Sequence, residues 1–139
     1  MQTNKETSMI IKKIDKSNIN DLKLFIENNK SEFFRYYDKR DINIIENHTY
    51  TALYNVDDSD IGYGHLDLDG YLWLGIMISD NYQGMGYGKF IMNDLLNNAK
   101  SDIYLTVDVD NIKGYNLYNK IGFELIKTEN NHHLMIYKK

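Results

Sequence analysis

YLWLGIMISDNYQGMGYGKF, residues 71–90, runs from an apolar strand-like segment into a helix-like one across a bend that holds Gly84, Gly86 and Gly88. The chain has only nine glycines, so three within five positions single out this bend. Glycine enters positive φ without steric penalty, which makes a tight turn one reading. A phosphate cradle is the other. A helix N-terminus offers unpaired N–H groups and the positive end of the helix dipole, and bare glycines let a pyrophosphate come within hydrogen-bond length. Spacing alone leaves both open. Two nucleotide-binding patterns fail at once. The Walker pattern needs Ser or Thr after Gly-Lys, and Phe90 follows Gly88-Lys89. The Rossmann fingerprint needs G-x-G-x-x-G after the first strand, and GMGYG has neither that spacing nor that place.

Outward from the bend, apolar periodicity gives the other elements. KFIMNDLLNNAK (89–100) puts Phe90, Ile91, Leu95, Leu96 and Ala99 on one helical face. DIYLTVDVD (102–110) alternates as a strand, NIKGYNLYNKIG (111–122) reads as a short helix stopped by Gly122, and FELIKTE and HHLMIYKK are two closing strands. Upstream, TYTALYNV and IGYGHLDLD pair across the turn DDSD, and Asp69-Gly70 turns into the apolar strand. SMIIKKID is a first strand, INDLKLFIENN an amphipathic helix capped by Ser17 or Asp15, and DINIIENH a second short helix. Residues 1–7 read as a disordered lead-in. The sum is one mixed α/β domain over residues 1–139, with no internal repeat or linker.

Composition narrows the function. Sixteen basic against twenty acidic residues give −4, which argues against nucleic acid as a partner. With no cysteine, disulfides, thiolate nucleophiles and cysteine metal sites are excluded. No apolar run reaches the ~18 residues of a membrane span, and the polar start MQTNKETSMI lacks the apolar middle of a secretion signal. A soluble cytoplasmic protein without membrane contact, monomeric or homodimeric, is the expectation. His132 and His133 point opposite ways on a strand and read as surface residues, so no metal is expected.

Gln83-Gly84-Met85-Gly86-Tyr87-Gly88 resembles the Gln/Arg-x-x-Gly-x-Gly/Ala signature of the GNAT N-acetyltransferase superfamily, which opens the helix after the central strand. Asn111, Tyr118 and Gly122-Phe123 resemble that family's second hallmark, one helix and one strand further on. Two departures stand out: Asp80-Asn81 where the family often has proline before the loop, and Gly114 where it usually has alanine.

The resemblance implies an α/β (α+β) fold with a mixed, mostly antiparallel central sheet flanked by helices, and acetyl-CoA as co-substrate. It implies that the backbone of Ile76, Met77 and Ile78 holds the pantetheine arm, beside a bulge near Gly75, with the Met77 N–H at the reacting carbonyl. Gln83, Gly84, Met85, Gly86, Tyr87, Gly88 and Lys89 would hold the pyrophosphate. Asn111 would touch the pantetheine or mark a splayed strand edge, and Tyr118 would protonate the departing thiolate. His65 is the first candidate for the base, since imidazole titrates near neutrality, and Asp67 the second, with a water chain as the alternative. His65, Asp67 and Asp69 share a strand face by alternation, in either an active site or an exposed polar edge. Phe33, Phe34, Arg35, Tyr36 and Tyr37 fall where the family builds its acceptor pocket. Trp73 reads as core.

Two functions follow. One is direct acetyl transfer to the primary amine of a small molecule, possible acceptors including an amino sugar on a nucleotide carrier, or to a protein or peptide amine. The other is a CoA-binding regulatory module without catalysis. The presence of both the phosphate loop and Tyr118 favours the first.

Overall fold

The computed structural model describes residues 9–139, so the expected lead-in at 1–7 lies outside the described residues. In chain order the elements are β1 Met9–Lys13, α1 Ile19–Asn28, a 3-10 helix Ile42–Asn47, β2 His48–Val56, β3 Ser59–Asp69, β4 Tyr71–Ile78, a 3-10 turn Asp80–Tyr82, α2 Tyr87–Asn98, β5 Ile103–Asp108, α3 Ile112–Ile121, β6 Glu124–Glu129 and β7 His132–Tyr137. The strands form one seven-stranded sheet in the order β1-β2-β3-β4-β5-β7-β6. Every adjacent pair is antiparallel except β4 and β5. That exception follows from connectivity: α2 lies between them and supplies the crossover that a parallel pair requires.

Local chemistry sets the turns. Asp57 and Asp58 take φ of 50° and 66° between β2 and β3, and Asn130 and Asn131 take 52° and 66° between β6 and β7. Positive φ at both central residues is the primed geometry whose twist suits a hairpin, and Asp and Asn tolerate it best after glycine. The cap of α1 differs from expectation. Asn18 is the capping position, while the Asp15 carboxylate accepts from the Ser17 N–H at 2.8 Å and so shapes the turn before the helix.

The sheet is covered on both faces. On one, α2 buries Ile91, Met92, Leu95 and Leu96 against Ala52, Tyr54, Leu66, Leu74 and Leu105. Phe90, expected on that face, is 44% exposed; the buried stripe begins one residue later. On the other face, Leu22 and Phe25 of α1 pack with Ile45, Leu53, Tyr63 and Met77. Alternation in β3 serves both layers. Gly62 and Gly64 face α2, where an added Cβ would stand 2.6 Å from Ile91 Cδ1 and 3.0 Å from the Leu95 methyls. Tyr63 and His65 point the other way, under α1 and the segment that follows it.

Candidate active site

The parallel ladder between β4 and β5 is short. It pairs Leu72 with Ile103 and Trp73 with Tyr104 and goes no further, although β4 continues to Ile78 and β5 to Asp108. Beyond Trp73 the strands part, and a cleft of about 1410 Å³ opens between them. Its walls take in Gly75, Ile76, Met77 and Ile78, the start of α2, Asn111 and Tyr118 on α3, and Phe34, Tyr36, His65 and Asp67 at the far end. β4 pairs with β3 without a register break, His65 opposite Gly75, so the bulge expected near Gly75 is absent. The departure of β5 opens the cleft instead.

The glycine bend resolves into two kinds of glycine. Gly84 and Gly86 have φ of 77° and 86°, and an added Cβ on either would meet nothing within 4 Å. Gly86 is the left-handed N-cap of α2 and makes no side-chain cap, so the first-turn N–H groups face the cleft mouth without a capping side chain. Gly88 is different: a Cβ there would lie 3.0 Å from Leu117 and 3.2 Å from Ile78, so glycine allows α2 to close on α3. Gln83 ties the bend to β4 by donating from Nε2 to the Ile78 carbonyl at 3.1 Å. Met85 is exposed, Tyr87 packs beside Tyr82, and Lys89 lies at the cleft mouth. Together the bare backbone, the helix dipole and the unpaired inner edges of β4 and β5 fit a long ligand with a pyrophosphate and an amide-bearing arm.

Asn111 caps α3, its Oδ1 accepting from the Gly114 N–H at 3.0 Å. Tyr118 is half-buried in the cleft wall near Phe123, and desolvation pushes its phenol up to about 12. It is therefore a proton donor at any ordinary pH.

At the far end, the segment after α1 lays its aromatic residues over the β3 face. Tyr36 donates to Asp67 Oδ2 at 2.7 Å, and its oxygen lies 2.8 Å from His48 Nε2. Because the one phenolic proton goes to Asp67, His48 must donate from Nε2 and accept from Thr51 Oγ1 at Nδ1, 2.8 Å away. Burial holds His48 in that neutral state, its pKa lowered to about 4. His65 is 2% exposed, which removes the polar-edge reading. Burial, with His48 and Arg40 nearby, keeps its pKa well below the usual imidazole value.

Of the expected acceptor residues, Phe33, Phe34, Arg35 and Tyr36 line the cleft, whereas Tyr37 lies behind it with its hydroxyl 2.5 Å from that of Tyr63. Arg35 is engaged already. It donates to both carboxylate oxygens of Asp108, at 2.9 and 3.1 Å, and holds that carboxyl below the usual range. His132 reaches the same carboxylate at 2.9 Å, and His133 meets Thr128 at 2.7 Å. Trp73, expected in the core, lines the cleft and donates from Nε1 to the Asp69 carbonyl. His48, Arg40 and Asp108 escaped the sequence reading. Arg40, over the Tyr36 ring at 4.3 Å, carried no local signal. Among the described residues, no cluster of three or more His, Asp or Glu is placed to hold a metal, and no helix is long and apolar enough to cross a membrane.

The acetyltransferase (GNAT) family model matches residues 18–123. No curated protein matches the chain. Solved structures share the fold at low identity. An acetyltransferase of the GNAT family from Streptococcus pneumoniae superposes with a TM-score of 0.79 at 17% identity, covering 94% of this chain and 99% of that one. The spermidine/spermine N-acetyltransferase SpeG from Vibrio cholerae gives 0.68 at 16%, covering 94% and 93%. Arabidopsis thaliana Naa50, in complex with the bisubstrate analogue CoA-Ac-MVNAL, gives 0.72 at 22%, covering 95% and 99%.

Proposed function

The chain belongs to the acetyltransferase (GNAT) family, and from that premise we propose that it moves the acetyl group of acetyl-CoA directly onto a primary amine of a small molecule. One observation carries the reading: β4 and β5 part just after Trp73–Tyr104, beside a helix N-terminus laid bare by Gly84 and Gly86. The first-turn N–H groups of α2 and Lys89 would hold the pyrophosphate. Ser79 donates its N–H to the Ile61 carbonyl, so Met77, two residues back in an unbroken ladder, also turns its N–H toward β3 rather than the cleft. The open edge at Ile76 and Ile78 would hold the pantetheine arm by strand addition, with an N–H of that edge left to steady the charge that develops on the carbonyl oxygen.

Tyr118 would give its proton to the sulfur as it leaves. Its raised pKa keeps that proton in place until the thiolate forms. Asp67, oriented by Tyr36, would attract the incoming ammonium, and His65 would take the proton the amine must lose. Phe33, Phe34 and Tyr36 would line the acceptor's apolar part. With Arg35 neutralised by Asp108, and Arg40 set against the two carboxylates of Asp67 and Asp69, the balance at this end favours a neutral or cationic acceptor over a phosphate-bearing one such as a nucleotide-carried amino sugar.

Thiol release from acetyl-CoA is the test, and the absence of cysteine keeps the protein silent toward the thiol reagent. The panel takes diamines, free amino sugars, a nucleotide-linked amino sugar and a peptide N-terminus. Turnover with diamines or free amino sugars supports the reading. Turnover confined to the peptide would reassign the acceptor, and CoA binding without turnover of any amine would make this a binding module.

A further inference from the structure

We propose that Tyr63 and Tyr37 form a side-chain relay that carries the amine's proton away from His65, which accepts at Nε2 and releases from Nδ1 without storing a charge. The inference rests on the reading of His65 as the base. Its geometry is a continuous file of short contacts. His65 Nδ1 lies 2.6 Å from Tyr63 Oη, and Tyr63 Oη lies 2.5 Å from Tyr37 Oη. Tyr63 is fully buried and Tyr37 half-buried, so the file leads from the closed interior toward the outside of the segment after α1.

The other ring nitrogen is placed for the acceptor. His65 stands opposite Gly75 in the β3–β4 ladder, and a Cβ on Gly75 would collide with its Nε2 and Cε1 atoms. Glycine at 75 therefore lets the imidazole lean over β4, on the side where β5 departs and the cleft opens. Neighbours on every side fix the ring: Tyr36 at 4.3 Å and His48 at 4.5 Å between centroids, Tyr63 at 5.4 Å and Phe34 at 6.4 Å.

The surroundings explain why a relay is needed. Around the imidazole stand neutral His48 from β2, the Tyr63 phenol and Asp67 from β3, and Tyr36 and Arg40 from the segment after α1. Burial and the Arg40 charge oppose an imidazolium, so a base that had to keep the proton would be weak here. Transfer through the ring avoids that charge. A proton bonds to Nε2 as the Nδ1–H proton passes to Tyr63 Oη. The Tyr63 phenolic proton passes to Tyr37 Oη, and Tyr37 gives one to water. Each group ends with the charge it began with, and one proton has left the amine. The site resets by the reverse shift, in which a proton taken up at Tyr37 passes back to Nδ1 as Nε2 gives its own to cleft water, so the relay's part is to keep the imidazole neutral in both steps.

The relay requires one starting tautomer: Nδ1–H donated to Tyr63 and Nε2 bare. Long-range proton–nitrogen correlation on the full chain labelled with ¹⁵N-histidine reads this at pH 7.5 without any ligand. His65 protonated at Nδ1 is the expected result; His65 protonated at Nε2 has no lone pair for the amine and overturns the proposal. The kinetic arm uses the amine turned over fastest in the acceptor panel. Tyr63→Phe is expected to lower kcat about tenfold or more, with both KM values changed less than about twofold, and to turn a curved proton inventory linear. His65→Asn, which can still bond Tyr63 but has no Nε2, should match it. Should Tyr63→Phe fail to fold, Tyr37→Phe carries the same expectation. A folded variant with undiminished kcat and a curved inventory overturns the relay. If no amine is turned over, the acetyl-transfer reading fails by itself, and the tautomer still decides whether the relay is set.

Discussion

The Asn111 carboxamide fills the space that a side chain at Gly114 would need: its Oδ1 caps the Gly114 N–H at 3.0 Å, and its Nδ2 stands 2.6 Å from where a Cβ would be. From sequence, glycine here reads as a loss of up to ~1 kcal/mol of helix stability relative to alanine. The contact reverses that expectation. Gly114→Ala is expected to bring no net stabilisation, because the propensity gain of up to ~1 kcal/mol is offset by a displaced cap worth about as much. In an Asn111→Ala background the same change should stabilise. Urea unfolding of the four species checks this, and a stabilised single Gly114→Ala variant would show that Asn111 can move aside freely.

Tyr118 has no partner to lower its pKa; desolvation alone pushes it up to about 12. Tyr118→Phe is expected to reduce kcat by about 10²-fold, at the low end of what positioned acids supply, with KM for acetyl-CoA nearly unchanged. In the wild type, the phenol remains protonated below pH ~11, so no alkaline limb of the kcat profile in the usual assay range belongs to Tyr118. A limb near pH 9 that vanishes in Tyr118→Phe would contradict this.

Much of the architecture is written in local signals. The hairpins follow from Asp57-Asp58, Gly70 and Asn130-Asn131, the first two α-helices from their apolar stripes and the third from its stop at Gly122. The glycine bend could be placed but not divided, because a glycine needed for φ looks the same in sequence as one needed for packing. Gly84 and Gly86 are the first kind and Gly88 the second. What stayed hidden depends on distant partners. Arg35 looked free until Asp108, 73 positions away, was seen to hold it. His48 read as the last residue of the short helix DINIIENH, and only the tertiary packing of Tyr36 makes it part of the site.

Burial of neutral histidine makes stability depend on pH. His48 titrates near 6.5 when unfolded but at about 4 when folded, so between these values the unfolded chain binds more protons. Stability should be full above about pH 6.5 and fall as pH drops toward 4, by roughly 1–3 kcal/mol from this partly exposed group; His65, shifted the same way, adds to the fall. His48→Gln keeps a donor toward Tyr36 and cannot titrate. It should flatten part of the slope of unfolding free energy against pH between 7.5 and 5. An unchanged slope would place the pH dependence elsewhere.

Close approach of α2 to the sheet depends on two missing side chains in β3. A Cβ on Gly62 would stand 2.6 Å from Ile91 Cδ1, with the Met77 carbonyl oxygen at 3.4 Å on its other side. Ile91 is fully buried, so its terminal methyl has little room to yield. Gly62→Ala is therefore expected to cost about 1–3 kcal/mol as an overpacked core. Ile91→Val removes the offending Cδ1 atom and alone costs about 0.5–1.5 kcal/mol. Together the two changes should cost less than their sum, because the alanine methyl occupies the space the isoleucine methyl leaves. Denaturant unfolding of the single and double variants gives the coupling directly. The consequence reaches the site, because α2 carries the bare N-terminus beside Gly84 and Gly86. Gly62→Ala should therefore weaken acetyl-CoA binding by shifting that terminus, and the Ile91→Val partner should restore it. Purely additive energies, or cofactor affinity that never moves, would show that α2 adjusts without disturbing its first turn.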